Sequence, residues 1–347
     1  MALVGIYERP YNMRATPMQR KIVVKKIILL NLSVLCILLC AFSWSQKRAG
    51  TLTKNLLLEW NGEVRRYYLY VPADLSDAPV PLVIVLHGGD QTLEEVVRHA
   101  PAQWMQLADR DRFIVAYPAG RNMHWHDCRD DNHGPDADTD DVGFISALID
   151  ELTKGYAVDQ QRIYASGESN GGMMCYRLAC ELSDRIAAIG AVAANNPAIH
   201  TECTRPVNPV SILIMNGTAD PIMPWDGGCI KDRRGKCWKN KGTVMSTIET
   251  VELWRSFLQA DAAPAIDEFP DINKTDNSTV TQETYAHGIG GTEVVLYKVN
   301  NGGHTYPTIE WKTSDAGRTI LPLGNQNQDI ESIDQIWEFF KRHTLDR

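Results

Sequence analysis

Short apolar runs recur along this chain, and stretches with helical spacing separate them. Residues 65–72, 81–86, 113–118, 162–166, 210–217 and 292–299 read as strands, and 186–194 is a further apolar run. Residues 93–108, 141–156, the segment from Asn170, 243–260 and 329–342 read as helices, with Val142, Ile145, Ile149 and Leu152 on one face of the second. Strands that are apolar almost throughout have no face to give to water. They require a mostly parallel central sheet covered by helices on both faces. No internal repeat, low-complexity tract or composition break divides the pattern, so a single α/β domain is expected.

Residues 1–45 stand outside it. Arg14, Arg20, Lys21, Lys25 and Lys26 precede the apolar run 27–42, which ends in small and polar residues at Ser43 and Ser45. That order is the one found in a secretory signal peptide, with Met18 as a second candidate start. The run is short of the about twenty residues a spanning helix needs, so cleavage is expected, with a retained anchor as the alternative. Leu39 is too bulky for lipoprotein processing at Cys40. The folded part is then 46–347. Formal charge is −8 for the full chain, and losing the basic leader takes it to about −13, which argues against nucleic acid and anionic membrane surfaces as partners. No stable membrane association is expected after cleavage.

Export makes disulfides the natural fate of the remaining cysteines. Cys229 and Cys237 flank a charged loop and are expected to pair, and Cys180 with Cys203 is the second expected pair. Cys128 and Cys175 are left to pair or stay free. No CxxC pair suggests zinc.

The stretch 163–174, IYASGESNGGMM, places Ser169 between Gly167 and Gly171 where a strand becomes a helix. This is G-x-S-x-G in the strand–turn–helix context of a nucleophile elbow. A serine hydroxyl is a poor nucleophile until a base takes its proton. Asp220 leaves the end of the strand 210–217, and its alternative is an Asx turn ahead of Pro221. His304 follows two glycines in a loop after the strand 292–299, whereas His200, His287 and His343 fit exposed loop or helix positions. The order Ser, Asp, His is that of the α/β-hydrolase arrangement. An oxyanion would need backbone donors, for which the amides of Asn170 and Gly89 are the candidates, with His87 read as a structural hydrogen-bonding residue.

The blocks LHGGDQT, WHDCR, DDVGFISALIDEL, RIYASGESNGGMMCYRLACEL, GTADPIMPWDGG and NGGHTYP resemble, in order, the secreted esterases that include polyhydroxybutyrate depolymerases and feruloyl esterases. The resemblance runs from about residue 55 to the C-terminus. It implies an α/β-hydrolase fold, no cofactor, no metal, and hydrolysis of carboxylic esters through an acyl-enzyme, with Ser169, Asp220 and His304 on the triad. Several polymer-degrading members carry a cysteine where this chain has Gly89. The chain also ends soon after its last helix, without an appended polymer-binding module, which favours feruloyl-type polysaccharide esters or soluble hydroxyalkanoate oligomers over solid polyester.

Two further stretches invite a functional reading. The loop 127–141 is rich in aspartate, and Asp136, Asp138 and Asp140 alternate as in a calcium loop, but the glycine and late glutamate of an EF-hand are missing, so a solvated loop is expected. Trp125 and Trp225 are candidates for an apolar substrate floor, with core packing as the alternative. Three rival readings remain: a depolymerase acting on polymer, a peptidase of prolyl oligopeptidase type, which lacks room here for its gating domain, and a catalytically dead binding module, which should lack a triad residue.

Overall fold

The computed structural model describes residues 49–75, 77–129, 139–198, 205–232, 234–239, 241–310 and 323–345. The leader 1–45, Cys203, His200 and the alternating Asp136 and Asp138 lie outside them.

Ten strands form one sheet in the order β1-β2-β4-β3-β5-β6-β7-β12-β11-β10. These are β1 (Thr51–Trp60), β2 (Glu63–Val71), β3 (Val80–Leu86), β4 (Ile114–Pro118), β5 (Val158–Glu168), β6 (Ala188–Val192), β7 (Ser211–Gly217), β10 (Ala265–Glu268), β11 (Thr279–Tyr285) and β12 (Val294–Asn300), while β8 (Gly228–Cys229) and β9 (Thr243–Val244) pair separately. The six strands from β4 to β12 run parallel, and antiparallel strands finish both edges. Every residue of β3, β6 and β7 is buried. Side chains alternate across the sheet: Leu82, Ile84 and Leu86 join one core, and Val83 and Val85 join the other.

Helices cover both faces. The first core takes α3 (Asp141–Gly155), α4 (Asn170–Glu181) and α5 (Thr247–Leu258), and the second takes α2 (Gln103–Asp111) and α6 (Ser332–Phe340). The single helix expected over 93–108 is two, α1 (Leu93–Val96) and α2, with a 3₁₀ turn at Ala100–Ala102 between them. Pro101 sits in that break, where its missing N–H and its ring exclude a continuous helix. Strands β1, β10 and β11 lie at or next to the sheet edges and are mostly exposed or half-buried, so their residues need not be apolar throughout. They carry no signal of the kind that marks the central strands.

Topology places the site. Strand β3 lies between β4 and β5, so the chain leaves β3 toward one edge and returns on its other side. Leu86 at the end of β3 is paired with Gly167 near the end of β5. Residues 87–90 and the turn at Ser169 therefore emerge side by side at a switch point of the sheet, where α/β proteins bind ligands.

A buried ion pair joins β2 to the start of α3: Arg65 donates to Asp141 at 2.7 Å, with both side chains almost wholly enclosed. Asp141 also accepts from the His126 amide (2.8 Å), and Arg65 donates to the Ala119 carbonyl (3.1 Å). Arg65→Met leaves that carboxylate buried without its cation and is expected to cost about 3–5 kcal/mol. Urea unfolding of the variant against wild type measures this, and a midpoint shift below the equivalent of about 1 kcal/mol would show that Asp141 is not held by Arg65.

Cys229 and Cys237 are bonded, as expected from their flanking positions. Cys128 is also disulfide-bonded. Cys180 is a free thiol, which corrects the expected Cys180–Cys203 pair. It belongs to α4 and packs against the helix-covered core, where burial pushes its pKa up to about 12 and Glu181 adds to the shift. Cys175, wholly buried on the same helix, is free as well. Alkylation of the unfolded but unreduced protein should thus label Cys175 and Cys180 and spare Cys128, Cys229 and Cys237. Peptide mass spectrometry reads this directly, and a blocked Cys180 would contradict the assignment.

Candidate active site

The turn after β5 is tight enough to dictate its own composition. A Cβ on Gly167 would lie 2.5 Å from the Gly171 carbonyl carbon, and one on Gly171 would lie 2.4 Å from the Leu86 carbonyl oxygen. Only glycine allows the strand, the turn and β3 to approach this closely. Ser169 itself takes φ 53° and ψ −119°, a conformation that costs a non-glycine residue about 1–3 kcal/mol and recurs at functional sites. Its amide donates to the Val192 carbonyl (2.9 Å), and its carbonyl accepts from Met173 as the first bond of α4.

Asp220 follows β7 and uses its two oxygens differently. Oδ1 accepts from the amides of Ile222 and Met223, both at 2.8 Å, which is the Asx turn its sequence suggests. Oδ2 accepts from His304 Nδ1 at 2.7 Å. The two readings of Asp220 are one structure: the turn fixes the carboxylate, and the carboxylate fixes the imidazole. His304 is buried, in the loop after β12, and its amide donates to the Leu323 carbonyl. Burial lowers its pKa, but the Asp220 charge and hydrogen bond, with Glu168 nearby, outweigh that and raise it above the usual histidine range.

Ser169 and His304 line one cavity of about 420 Å³, together with Gly88, Gly89, Asn170 and Tyr306. Gly89 lies against Asn170, since a Cβ on it would be 3.7 Å from the Asn170 Cβ. The Asn170 side chain is committed elsewhere. Oδ1 accepts from the Trp125 amide (2.7 Å), and Nδ2 donates to the Trp125 carbonyl (2.9 Å) and to Asp127 (2.6 Å). His87 accepts from the Gly120 amide at Nε2 (2.8 Å) and donates from Nδ1 to the Gly88 carbonyl (2.7 Å). Burial pushes its pKa down to about 4, so it is a neutral strut behind the Gly88–Gly89 stretch.

Neither expected tryptophan reaches the cavity. Trp125 is 1% exposed, with its ring against His87 and its indole N–H donating to the His87 carbonyl (2.9 Å). A buried acceptor draws the indole inward, and position after a strand does not reveal that direction. Trp225 packs on the core beneath α3, α4 and α5, with the Lys298 ammonium 5.8 Å from its ring centre. Among the described residues, the tryptophan that lines the cavity is Trp238, held beside Cys237 by the 229–237 disulfide and by its amide's bond to the Ile230 carbonyl (2.7 Å). Its signal was adjacency to a bonded cysteine. Glu168, His124, Arg129 and Lys241 also line the cavity and were not singled out by the sequence. His343 is buried rather than exposed, lying between Ser211 (3.1 Å) and Glu293 (3.0 Å). The described aspartates of the 127–141 loop have structural partners: Asp127 pairs with Arg129, Asp140 caps α3, and Asp141 pairs with Arg65.

Residues 65–230 match the family described as Esterase PHB depolymerase. A "Putative esterase NocK" of Nocardia uniformis subsp. tsuyamanensis is 34% identical over 284 residues, covering 78% of this chain and 80% of the relative. The chain belongs to this esterase family. It is a carboxylic ester hydrolase. Feruloyl esterase C of Emericella nidulans is 30% identical over 168 residues, a match that takes in 47% of the enzyme and 58% of that relative. In fold, the enzyme is similar to the crystal structure of a thermostable esterase, with a TM-score of 0.50 at 16% identity, covering 86% of this chain and 64% of the other. Among the described residues of the enzyme, no helix is long and apolar enough to cross a membrane.

Proposed function

We propose that the protein is an exported serine esterase that works through an acyl-enzyme on soluble or side-chain esters. The observation that carries this is the arrangement around the cavity. Ser169 stands on a strained turn at its wall, and His304 shares that wall with its Nδ1 proton committed to Asp220 at 2.7 Å. Nε2 is thereby left as the basic nitrogen. In the proposed cycle, Ser169 Oγ attacks the ester carbonyl as His304 Nε2 takes its proton. The oxyanion is stabilised by the amides of Gly89 and Asn170. His304 returns the proton to the departing alcohol, and water, activated by the same imidazole, releases the acid.

The substrates that suit a cavity of about 420 Å³ bury one acyl group and a short alcohol portion. Feruloyl-type esters of plant polysaccharides and short hydroxyalkanoate oligomers both fit that description. Export is supported by the disulfide at 229–237 and by the basic-then-apolar leader. The deciding panel is methyl ferulate, p-nitrophenyl butyrate, hydroxybutyrate trimer and a crystalline polyhydroxybutyrate film. Turnover of soluble esters with little clearing of the film is expected. Rapid erosion of the film without activity on any soluble ester would make polymer attack the function.

A further inference from the structure

The cavity wall is not chemically uniform. Lys241, His124, Trp238 and Arg129 form one connected part of it. The Lys241 ammonium donates to His124 Nε2 (2.8 Å) and lies 5.2 Å from the Trp238 ring centre, and Arg129 donates to the Lys241 carbonyl (2.6 Å). An ammonium has only donors, so His124 Nε2 accepts there. Arg129 has its counter-ion in Asp127 at 2.8 Å. Lys241 has none: among the described residues, no carboxylate comes within 4.0 Å of its ammonium.

The cavity's carboxylates are placed differently. Glu95 is occupied in the cap of α1, accepting from the Thr92 amide (2.8 Å) and hydroxyl (2.9 Å). Glu168 accepts from Gln91 (3.3 Å) and lies near His304, and burial raises its pKa. Asp90 has a side chain 61% exposed and lies 3.6 Å from His124 Nε2. Burial lowers the Lys241 pKa, a shift that Asp90 and Asp127 oppose and Arg129 reinforces. The cavity thus holds a half-desolvated cation at one part of its wall and a carboxylate, Glu168, beside the candidate base.

Resting on the serine-esterase reading above, the geometry points to a substrate that carries its own carboxylate, received by the Lys241 ammonium with the Trp238 face beside it. Among the two ester classes that fit the cavity, this selects the hydroxyacid oligomer. Such an oligomer keeps one free acid end a few bonds from its ester links, whereas methyl ferulate offers only a phenol, neutral at pH 7. An oligomer bound this way would have its acid end toward Lys241 and its ester toward Ser169, both of which line the cavity. A hydrogen bond to a charged group in a partly buried site corresponds to about a tenfold or greater preference.

The test compares hydroxybutyrate trimer with its terminal carboxamide, which removes the charge and keeps the shape, following release of shorter acids by chromatography. In the wild type, kcat/KM for the acid should exceed that for the carboxamide about tenfold at low salt, and 0.5 M sodium chloride should narrow the gap. Lys241→Gln should bring the ratio close to one, through KM more than kcat. Equal rates on acid and carboxamide in the wild type would overturn the proposal, and so would a preference that survives Lys241→Gln. The salt dependence of the wild type decides the matter even where the variant folds poorly. Cleavage of p-nitrophenyl butyrate with no action on either trimer would reject the carboxylate site and leave the serine-esterase reading standing. Failure on all three would reject both.

Discussion

Ser169→Ala is expected to lower kcat/KM for any ester this enzyme turns over by at least about a thousandfold, the scale of loss when a serine hydrolase loses its nucleophile. The loss should fall on kcat. Gly89 and Asn170 still line the cavity beside the missing hydroxyl, so substrate binding should survive. Stability should change by less than about 0.5 kcal/mol, because alanine meets the same backbone strain at φ 53° as serine does. A fluorophosphonate probe gives an independent reading of the acyl-enzyme step: it should add a single mass to the wild type, on the peptide bearing Ser169, and none to the variant. Retention of more than a few per cent of activity in clean Ser169→Ala protein would remove Ser169 from the mechanism.

Asp220→Asn should cost about 10⁴-fold in kcat, the effect of presenting the base in its wrong tautomer. The carboxamide can keep its oxygen on the Ile222 and Met223 amides, where Oδ1 now accepts two bonds. It then turns an NH₂ toward His304 Nδ1, which must accept and so drives the imidazole proton onto Nε2. That nitrogen can no longer take the serine proton. The pH profile carries a second signature. His304 must be neutral to act, and its pKa is raised, so wild-type kcat/KM should be full above that raised value and fall as the pH drops through it. Burial alone would lower the pKa, and Asp220 is the largest influence raising it. Residual activity in Asp220→Asn should therefore show its acid limb at lower pH than the wild type. A limb that stays in place would mean that Asp220 is not the partner of the group being titrated.

The triad candidates were readable because each is announced by local backbone chemistry. Glycines hemming Ser169, a proline after Asp220 and two glycines before His304 all describe turns that a short segment makes on its own. The buried strands were legible for the related reason that burial on both faces erases polar alternation. Which further side chains line the cavity was not legible. Trp125, Trp225 and Trp238 are all in loops, and the choice among them is made by partners distant in sequence: the His87 carbonyl for the first, the core for the second, and a disulfide for the third. Lys241 is one of three lysines at 236, 239 and 241, and nothing local sets it apart until folding brings His124 to it across 117 positions of sequence. Edge strands such as β10 were missed because exposure leaves their composition close to that of a loop.

The Asn170 side chain has a consequence for anyone who would redesign this enzyme. It grips the backbone of Trp125 and the carboxylate of Asp127, Asp127 holds Arg129, and Arg129 holds the carbonyl of Lys241. The residue next to Ser169 and the rim of the cavity are thus joined by one relay of polar contacts. Transplanting a rim loop from a relative is not a modular exchange, because a graft without its own match for the Asn170 amide strands polar groups beside the reacting atoms, at about 1–3 kcal/mol each. Positions 125–129, 170 and 241 are mechanically coupled, and a library that varies them together should yield new specificities where libraries that vary only the rim return inactive folds.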